Sequence, residues 1–137
     1  MAANDIFATL PLVRRTASPG GPSGSASWTP NTDVYVTDGG LVVKVELAGM
    51  RKEDLELMVE GSQIKISGYR RDDSRTAQCR FVAMEINYGH FESSLELPSG
   101  YDLSASRAEY QNGFLRVDVP FAPTTNPGLH HVPISAS

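Results

Sequence analysis

Residues 108–120 constrain the fold of this chain most strongly, because their turn and their strand pattern indicate a single local structure. Asn112-Gly113 supplies two consecutive residues that tolerate positive φ, as a type I′ turn requires. Apolar residues then alternate with polar ones, which is the period of a strand with one buried face: Leu115, Val117 and Val119. Pro120 has no N–H to donate and ends the ladder. The sequence therefore predicts a β-hairpin.

Two earlier segments show the same alternation around a turn. Residues 33–47 reach Asp38-Gly39-Gly40 and continue with alternating apolar side chains. Residues 55–66 do so around Gly61-Ser62, and residues 91–97 add another alternating run. Short strands at this spacing, without a helical period of useful length, indicate an all-β protein built as an antiparallel β-sandwich.

The distribution of proline divides the chain into three parts. Nine prolines are present, yet between residues 31 and 119 only Pro98 occurs, and proline is largely excluded from the paired interior of sheets. We therefore predict one domain over residues 28–121, preceded by a flexible N-terminal arm (residues 1–27) and followed by a C-terminal extension (residues 122–137). At 137 residues the chain is long enough for one domain with an ordinary core.

The N-terminal arm combines an apolar cluster with a flexible piece. Residues 19–27 consist of Pro, Gly, Ser and Ala, a composition typical of flexible coil. The cluster before them is too short, and too interrupted by Pro11, to form a self-sufficient helix. We interpret the cluster as a hydrophobic segment that binds apolar surface on other proteins. Its residues are Ile6, Phe7, Leu10, Leu12 and Val13.

Charge and composition argue against several classes of partner. The formal net charge is −4 and no run of Lys or Arg occurs, so we expect neither a nucleic-acid nor a membrane partner. No segment has the basic start and apolar run of a signal peptide or the length of a transmembrane helix. The lone Cys79 has no partner for an internal disulfide. These features predict a cytoplasmic protein.

The sequence contains no motif that indicates catalysis. A phosphate-binding loop of the form G-x-x-x-x-G-K-[ST] is missing, and no nucleophile and base are placed by a known motif. We therefore expect no enzyme and no cofactor. We interpret His130-His131 as solvent-exposed side chains rather than a metal site, and Cys79 as an incidental thiol rather than a cross-link between subunits.

Residues 69–89 leave the alternating pattern for longer than a connection in a compact domain usually does. The first half of this loop is charged, and the second half contains strand-forming residues. A strand without a partner in its own domain is able to pair with another chain. The residues of this candidate strand are Arg80, Phe81, Val82, Ala83, Met84, Glu85 and Ile86.

Four segments resemble the small heat-shock protein family and its α-crystallin domain. The pattern Ala108-x-x-x-Asn112-Gly113-x-Leu115 resembles the family signature A-x-x-x-n-G-x-L. Residues 47–55 (LAGMRKEDL) are similar to l-P-G-x-x-k-e-d-i, with Ala48 in place of the usual proline. Residues 64–70 (IKISGYR) and 88–91 (YGHF) resemble l-x-I-x-G-e-R and y-G-x-F. The matches keep the family order and span nearly all of the predicted domain.

The resemblance implies an immunoglobulin-like topology and the dimer of the bacterial and plant branch. In that dimer residues 80–86 are exchanged between subunits and pair with the partner's first strand, near residues 31–36. Val132-Pro133-Ile134 is similar to the I-x-I/V motif with which family members dock their C-terminal extension on a neighbour. The extension here contains no Asp, Glu, Lys or Arg, which departs from the charged tails found in the family. The implied groove lies on another dimer, between the strand carrying Leu57 and Val59 and the strand carrying Leu103 and Ala105.

The resemblance further implies an ATP-independent chaperone of the holdase type, a homo-oligomer of strand-exchanged dimers that binds unfolding proteins. Two other classes of protein have the same alternation of apolar and polar residues. A carbohydrate- or peptide-binding β-sandwich module would have aromatic residues clustered on one exposed face, whereas the aromatic residues here are scattered. A co-chaperone of the CS-domain type shares the sandwich, but the tail motif and the signature favour the small heat-shock class. A monomer in size-exclusion chromatography would favour either alternative.

Overall fold

The computed structural model describes residues 13–16, 28–73, 76–123 and 129–136. Within these ranges the chain forms two β-sheets packed face to face and two short 3-10 helices, Lys52–Asp54 and Leu103–Ala105. The expectation of an all-β sandwich is therefore confirmed. Neither helix in this part of the chain has the length and apolar character needed to cross a membrane.

Ten strands follow one another along the described residues. They are β1 (Arg14–Thr16), β2 (Thr32–Thr37), β3 (Gly40–Glu46), β4 (Leu55–Glu60), β5 (Gln63–Arg70), β6 (Gly89–Glu96), β7 (Arg107–Gln111), β8 (Phe114–Pro120), β9 (Leu129–His131) and β10 (Ile134–Ala136). The first sheet has the order β1-β6-β5-β4-β9, and the second has the order β10-β7-β8-β3-β2. Neighbouring strands are antiparallel except for β10, which runs parallel to β7.

The predicted hairpins are present. Asn112 and Gly113 adopt φ values of 54° and 82°, as a type I′ turn requires, and they join β7 to β8. The hairpin β2–β3 turns at Asp38-Gly39, and the hairpin β4–β5 turns at Gly61-Ser62. The apolar residues that alternate along these strands face the space between the sheets, so the period of two in the sequence corresponds to the inner face of each sheet.

The core lies between the sheets and draws on both of them. Its largest fully buried side chains belong to five of the strands and to the segment after β3. Burial of apolar area of this kind is the main favourable term in folding. These side chains are Leu41, Val43, Val45, Leu47, Leu57, Val59, Ile64, Ile66, Phe91, Leu115 and Val117.

Three-residue strands near the two ends of the chain form three of the four sheet edges in the described structure. In the first sheet β1 lies beside β6 and β9 lies beside β4, while in the second sheet β10 lies beside β7. The fourth edge is β2, and no strand among the described residues pairs with its outer side. An uncovered edge presents N–H and C=O groups to which another chain can add a strand. The division of the chain into arm, domain and extension stays a prediction.

Candidate functional site

The C-terminal segment of residues 129–136, called the tail from here on, lies in a groove between the two sheets of its own domain. Its first strand, β9, pairs with β4, with His131 opposite Met58. Its second strand, β10, pairs with β7, with Ile134 opposite Ala108. The residues between these strands pass from one sheet to the other. A single extended segment therefore adds one strand to each sheet.

Two apolar side chains hold the tail in the groove. Val132 and Ile134 are 3% and 7% exposed and belong to the core cluster, whereas Pro133 between them is exposed. Residues i and i+2 of an extended segment point to the same side, so both side chains enter the groove together. The Val132 N–H donates to the Leu57 carbonyl at 3.1 Å, and the Ser135 hydroxyl donates to the Ala108 carbonyl at 3.2 Å.

The groove residues named from the sequence lie on β4 and in the second 3-10 helix. Leu57 and Val59 are buried on β4, and Leu103 is also buried. Leu103 and Ala105 form a 3-10 helix rather than the expected strand, and Ala105 is exposed. The cause is local, because the Asp102 carboxylate accepts from the Ser104 N–H at 3.2 Å and the Ser106 hydroxyl donates to the Leu103 carbonyl at 2.7 Å. The strand that forms the second wall is β7.

A charged concavity adjoins the tail. It has a volume of about 620 Å³, and the Nε2 atom of His131 lies 3.8 Å from the nearer carboxylate oxygen of Glu56 at its rim. Lys65 and Glu92 form an ion pair of 2.7 Å in the same lining. Over the described ranges, no group of three or more His, Cys, Asp and Glu side chains is arranged to hold a metal ion.

Asp54, in the same lining, fixes the 3-10 helix that precedes β4. Burial alone would raise the pKa of its carboxyl, but the Arg51 N–H, the Arg51 guanidinium and the charge of Arg71 outweigh burial and lower that pKa from its ordinary value. The Arg51 N–H and Nε both lie 3.4 Å from the same carboxylate oxygen. The ionised carboxylate therefore caps this helix.

The signature residues have separate structural roles around the groove. Ala108 is buried opposite Ile134, and Asn112-Gly113 makes the turn described above. The Gly113 carbonyl accepts a hydrogen bond from Leu47 at 2.7 Å, so the turn is attached to the end of β3. Leu115 is fully buried in the core. The signature thus combines one groove wall, one turn and one core position.

Tyr110 is a structural residue that the sequence analysis missed. Its hydroxyl donates to the Leu47 carbonyl at 2.6 Å and accepts from the Met50 N–H at 3.1 Å. These bonds attach the segment after β3 to β7. A single tyrosine within an alternating strand carries no sequence signal that distinguishes this role from ordinary packing.

The candidate exchanged segment forms no strand within the described chain. Its backbone is irregular and its seven residues, Arg80, Phe81, Val82, Ala83, Met84, Glu85 and Ile86, are all exposed. Val82 is 94% exposed, which is unusual for a β-branched apolar residue. Its pairing with the first strand of a partner stays a prediction.

The base of that loop is held by Arg70, which the sequence analysis did not single out. Its Nε donates to the Asn87 carbonyl at 2.8 Å and its Nη1 donates to the Ala48 carbonyl at 3.1 Å. Its guanidinium lies 4.4 Å from the centre of the Trp28 ring. Both ends of the loop are therefore attached to the domain, while the apolar residues between them face solvent.

The predicted binding arm lies mostly outside the described residues, namely Ile6, Phe7, Leu10 and Leu12. Val13 is described, is half-buried, and packs against the core. The strand β1 follows it and pairs with β6, with Arg15 opposite Leu95. No alternating pattern around residues 14–16 indicated this strand. The binding role of the arm stays a prediction.

A sequence model of the Hsp20/alpha crystallin family matches residues 33–135, which run from β2 to β10 and include most of the tail. The chain belongs to the Hsp20/alpha crystallin family. Among its relatives, spore protein SP21 of Stigmatella aurantiaca is 31% identical over 104 residues, which cover 76% of this chain and 62% of that protein. The 17.6 kDa class I heat shock protein 3 of Arabidopsis thaliana is 32% identical over 95 residues, 69% of this chain and 60% of that protein. The chain thus spans about three fifths of these relatives.

Solved structures of the Hsp20/alpha crystallin family share the fold. The hspA protein of Xanthomonas axonopodis superposes with a TM-score of 0.65 at 28% identity, covering 72% of this chain and 99% of that structure. A small heat-shock protein from Xylella fastidiosa, described as having a distinct high order structure, gives a TM-score of 0.64 at 26% identity, with 75% and 94% covered. The sandwich of this chain is therefore the α-crystallin sandwich that its signature predicted.

Proposed function

We propose that this family member is an ATP-independent chaperone of the holdase type, which binds unfolding proteins and slows their aggregation. The observation that carries the proposal is the groove, because it binds an extended segment by strand pairing on both sheets and through two apolar side chains spaced i and i+2. Unfolding chains expose extended segments with this spacing wherever they formed a strand. Addition of a strand to an open sheet edge is a common mode of peptide recognition.

The energetics of the groove suit transient binding. Full burial of one Val or Ile side chain is worth about 1.5–3 kcal/mol before the cost of ordering the segment. A two-residue contact is therefore weak and exchanges readily, whereas many such contacts on one particle hold by avidity. Because a ligand of the unfolded state competes with self-association by mass action, no nucleotide and no catalytic step are required.

We further propose a strand-exchanged dimer. The edge of β2 is uncovered among the described residues, and residues 80–86 present exposed apolar side chains on an irregular backbone. Reciprocal addition of this segment to the partner's β2 would cover two edges at once. Removing residues 73–86 should then give a monomeric domain. A dimer that survives this deletion would contradict the proposal.

We propose that the tail motif also joins dimers into a larger homo-oligomer. The motif docks on the same chain in the structure, and the same three residues offered by a neighbour would fit the same groove. The distinct high order structure of the Xylella fastidiosa relative is in line with such assembly. The exposed free thiol of Cys79 agrees with a reducing compartment, and we place the activity in the cytoplasm.

Light scattering tests the chaperone proposal directly. A model client is heated with increasing amounts of this protein, without ATP, and scattering is expected to fall as the ratio rises. An unrelated β-sandwich protein at the same mass concentration is the control for crowding. Unchanged scattering over a wide range of ratios would refute the holdase activity.

A further inference from the structure

We infer that Trp28 and Arg70 couple the start of the domain to the loop between β5 and β6, so that release of Trp28 loosens this loop. The inference goes beyond the proposed chaperone function, because it concerns what orders the loop within one chain. Trp28 directly follows the predicted arm, and Arg70 is the last residue of β5. The two residues are far apart in the sequence and meet at the edge of the first sheet.

The indole of Trp28 has three partners in the domain. Its Nε1–H donates to the Gly89 carbonyl at 3.1 Å, at the start of β6. Its ring centre lies 5.2 Å from that of Phe91, a core residue that is 1% exposed. The Arg70 guanidinium lies 4.4 Å from the indole centre. The Glu92 N–H also donates to the Trp28 carbonyl at 3.3 Å, so residue 28 is fixed to β6 through its backbone and its side chain.

Arg70 closes the loop from the opposite strand. It stands opposite Gly89 at the end of the β5–β6 ladder. Its hydrogen bonds to the Asn87 and Ala48 carbonyls, called the loop base from here on, leave from the edge of the guanidinium. A planar guanidinium that stacks on an aromatic face keeps these edge donors available. The indole therefore orients the group that joins the two ends of the loop.

The cation–π contact supplies the coupling. At an exposed site such a contact shifts an equilibrium about two- to fivefold, and both Trp28 and Arg70 are half-buried. Without the indole, the long Arg70 side chain would regain rotamer freedom, and its hydrogen bonds at the loop base would have to offset that entropy. Because linkage is reciprocal, seating of Trp28 favours a closed loop base, and a closed loop base favours seating of Trp28 by the same factor.

The chain offers one native probe on each side of the contact. Trp28 is its one tryptophan, and Cys79, in the loop, is its one cysteine and is exposed. A nitroxide on Cys79 reports the motion of the loop by electron paramagnetic resonance. In Trp28→Leu and in Arg70→Gln the ratio of its mobile to its immobile component is expected to rise about two- to fivefold. An unchanged ratio in either variant would overturn the inference.

The reciprocal measurement uses the tryptophan. In Arg70→Gln the acrylamide quenching constant of Trp28 should rise about twofold, and an unchanged constant would contradict the coupling. Arg71→Gln is the matched control, because the neighbouring Arg71 pairs with the Asp54 carboxylate at 3.6 Å, and it should leave both readouts as in the parent. Far-ultraviolet circular dichroism verifies that each variant keeps its sheets.

Two further variants separate coupling from independent structural damage. In Trp28→Leu/Arg70→Gln the change at the nitroxide should equal the larger of the two single changes, and additive changes would overturn the inference. Trp28→Phe keeps an aromatic face for the guanidinium and should give a smaller change than Trp28→Leu. Equal changes in these two variants would show that the stacking contact does not orient Arg70.

The test is independent of the proposed function. No client protein is present, so a negative result in the light-scattering experiment would leave the inference intact. The measurements are repeated in the background Val82→Asp, where pairing of the loop with another chain should be blocked. Both responses are expected to persist there, because the contact lies within one chain. Their loss in that background would overturn the inference, while the holdase proposal would stand.

Discussion

Ile134 lies directly opposite Ala108 in the parallel pairing of β10 with β7, and both side chains are buried. A small residue at position 108 leaves the volume that the Ile134 side chain occupies. The alanine of the family signature therefore shapes the groove for the tail, which is a role that the sequence pattern alone did not reveal.

Filling this space should expel the tail. In Ala108→Leu the larger side chain competes for the volume of Ile134, and overpacking costs about 1–3 kcal/mol unless the tail leaves. Amide hydrogen exchange of residues 129–136 is expected to become fast while β3, β5 and β8 stay protected. Glu109→Leu, at the exposed neighbouring position, is the matched control and should keep the tail protected. Continued protection of the tail in Ala108→Leu would show that Ala108 does not limit the groove.

Removing both apolar side chains of the tail should cause large oligomers to dissociate. In Val132→Ala/Ile134→Ala most of the roughly 1.5–3 kcal/mol per buried side chain is lost, so oligomers are expected to fall to dimers or small species. Native mass spectrometry gives the particle mass, and far-ultraviolet circular dichroism verifies the sandwich. Ser135→Ala, which removes only one hydroxyl, should keep the parental mass. If the double variant keeps its full mass, subunits are joined elsewhere, and the arm with Ile6 and Val13 becomes the candidate.

A charge in the exposed loop should block dimer formation without unfolding the domain. Val82 is 94% exposed, so Val82→Asp is expected to change the stability of the isolated domain by no more than about 0.5 kcal/mol. Within a paired strand the carboxylate would be desolvated without a partner, and the dimer should dissociate. Analytical ultracentrifugation measures the loss of the dimer. Gln78→Asp introduces the same charge earlier in the loop, and a dimer weakened equally by both variants would argue against pairing through residues 80–86.

A side chain at position 68 should be poorly tolerated. A Cβ atom on Gly68 would collide with the Asp54 carbonyl and come within 2.7 Å of the Phe91 ring. Gly68→Ala is therefore expected to destabilise the domain by about 1–3 kcal/mol. At Gly39 the nearest atom to such a Cβ is the Thr37 hydroxyl at 3.9 Å, so Gly39→Ala serves as the control and should be close to neutral. Thermal unfolding compares the two, and equal melting temperatures would contradict the assigned contact.

Acid should weaken the cap at Asp54. Because its folded-state pKa is lowered from an ordinary value of 3.8, the carboxylate contributes stability above that value, and the contribution is lost as the pH falls through the folded-state pKa. Asp54→Asn should therefore lower the melting temperature at pH 7 and have little effect near pH 3. Asp38→Asn, in an exposed turn, is the control. If the melting temperature of Asp54→Asn is lowered by the same amount at low pH, the effect is due to packing rather than to charge.

The sequence predicted those parts of the fold that depend on local chemistry. Asn112-Gly113 and Gly61-Ser62 mark turns through their backbone preferences, and alternation along the adjoining strands marks the buried faces. The strand carrying Leu103 and Ala105 was implied by the resemblance alone, and the local hydrogen bonds that Asp102 accepts and Ser106 donates favour a 3-10 helix there.

Long-range contacts carried little sequence signal. Tyr110 reaches Leu47 across 63 positions, and Arg70 reaches Trp28 through a stacking contact. The three-residue strands β1, β9 and β10 are too short for a period to be recognised, since pairing with an existing edge stabilises them rather than their own propensity. The tail motif was recognised by resemblance, and its position on its own domain emerged only from the arrangement of both sheets.

The uncovered edge of β2 limits how far strand addition can proceed. The other three edge strands of the described structure, β1, β9 and β10, have only three residues each, so reciprocal pairing at β2 would leave only short edges for a third molecule. A two-fold, self-complementary contact of this kind closes on itself, whereas a head-to-tail contact would grow into a filament. Growth of a fibril through the sheets of the domain would then have to start from three-residue edges, which are poor templates for strand addition.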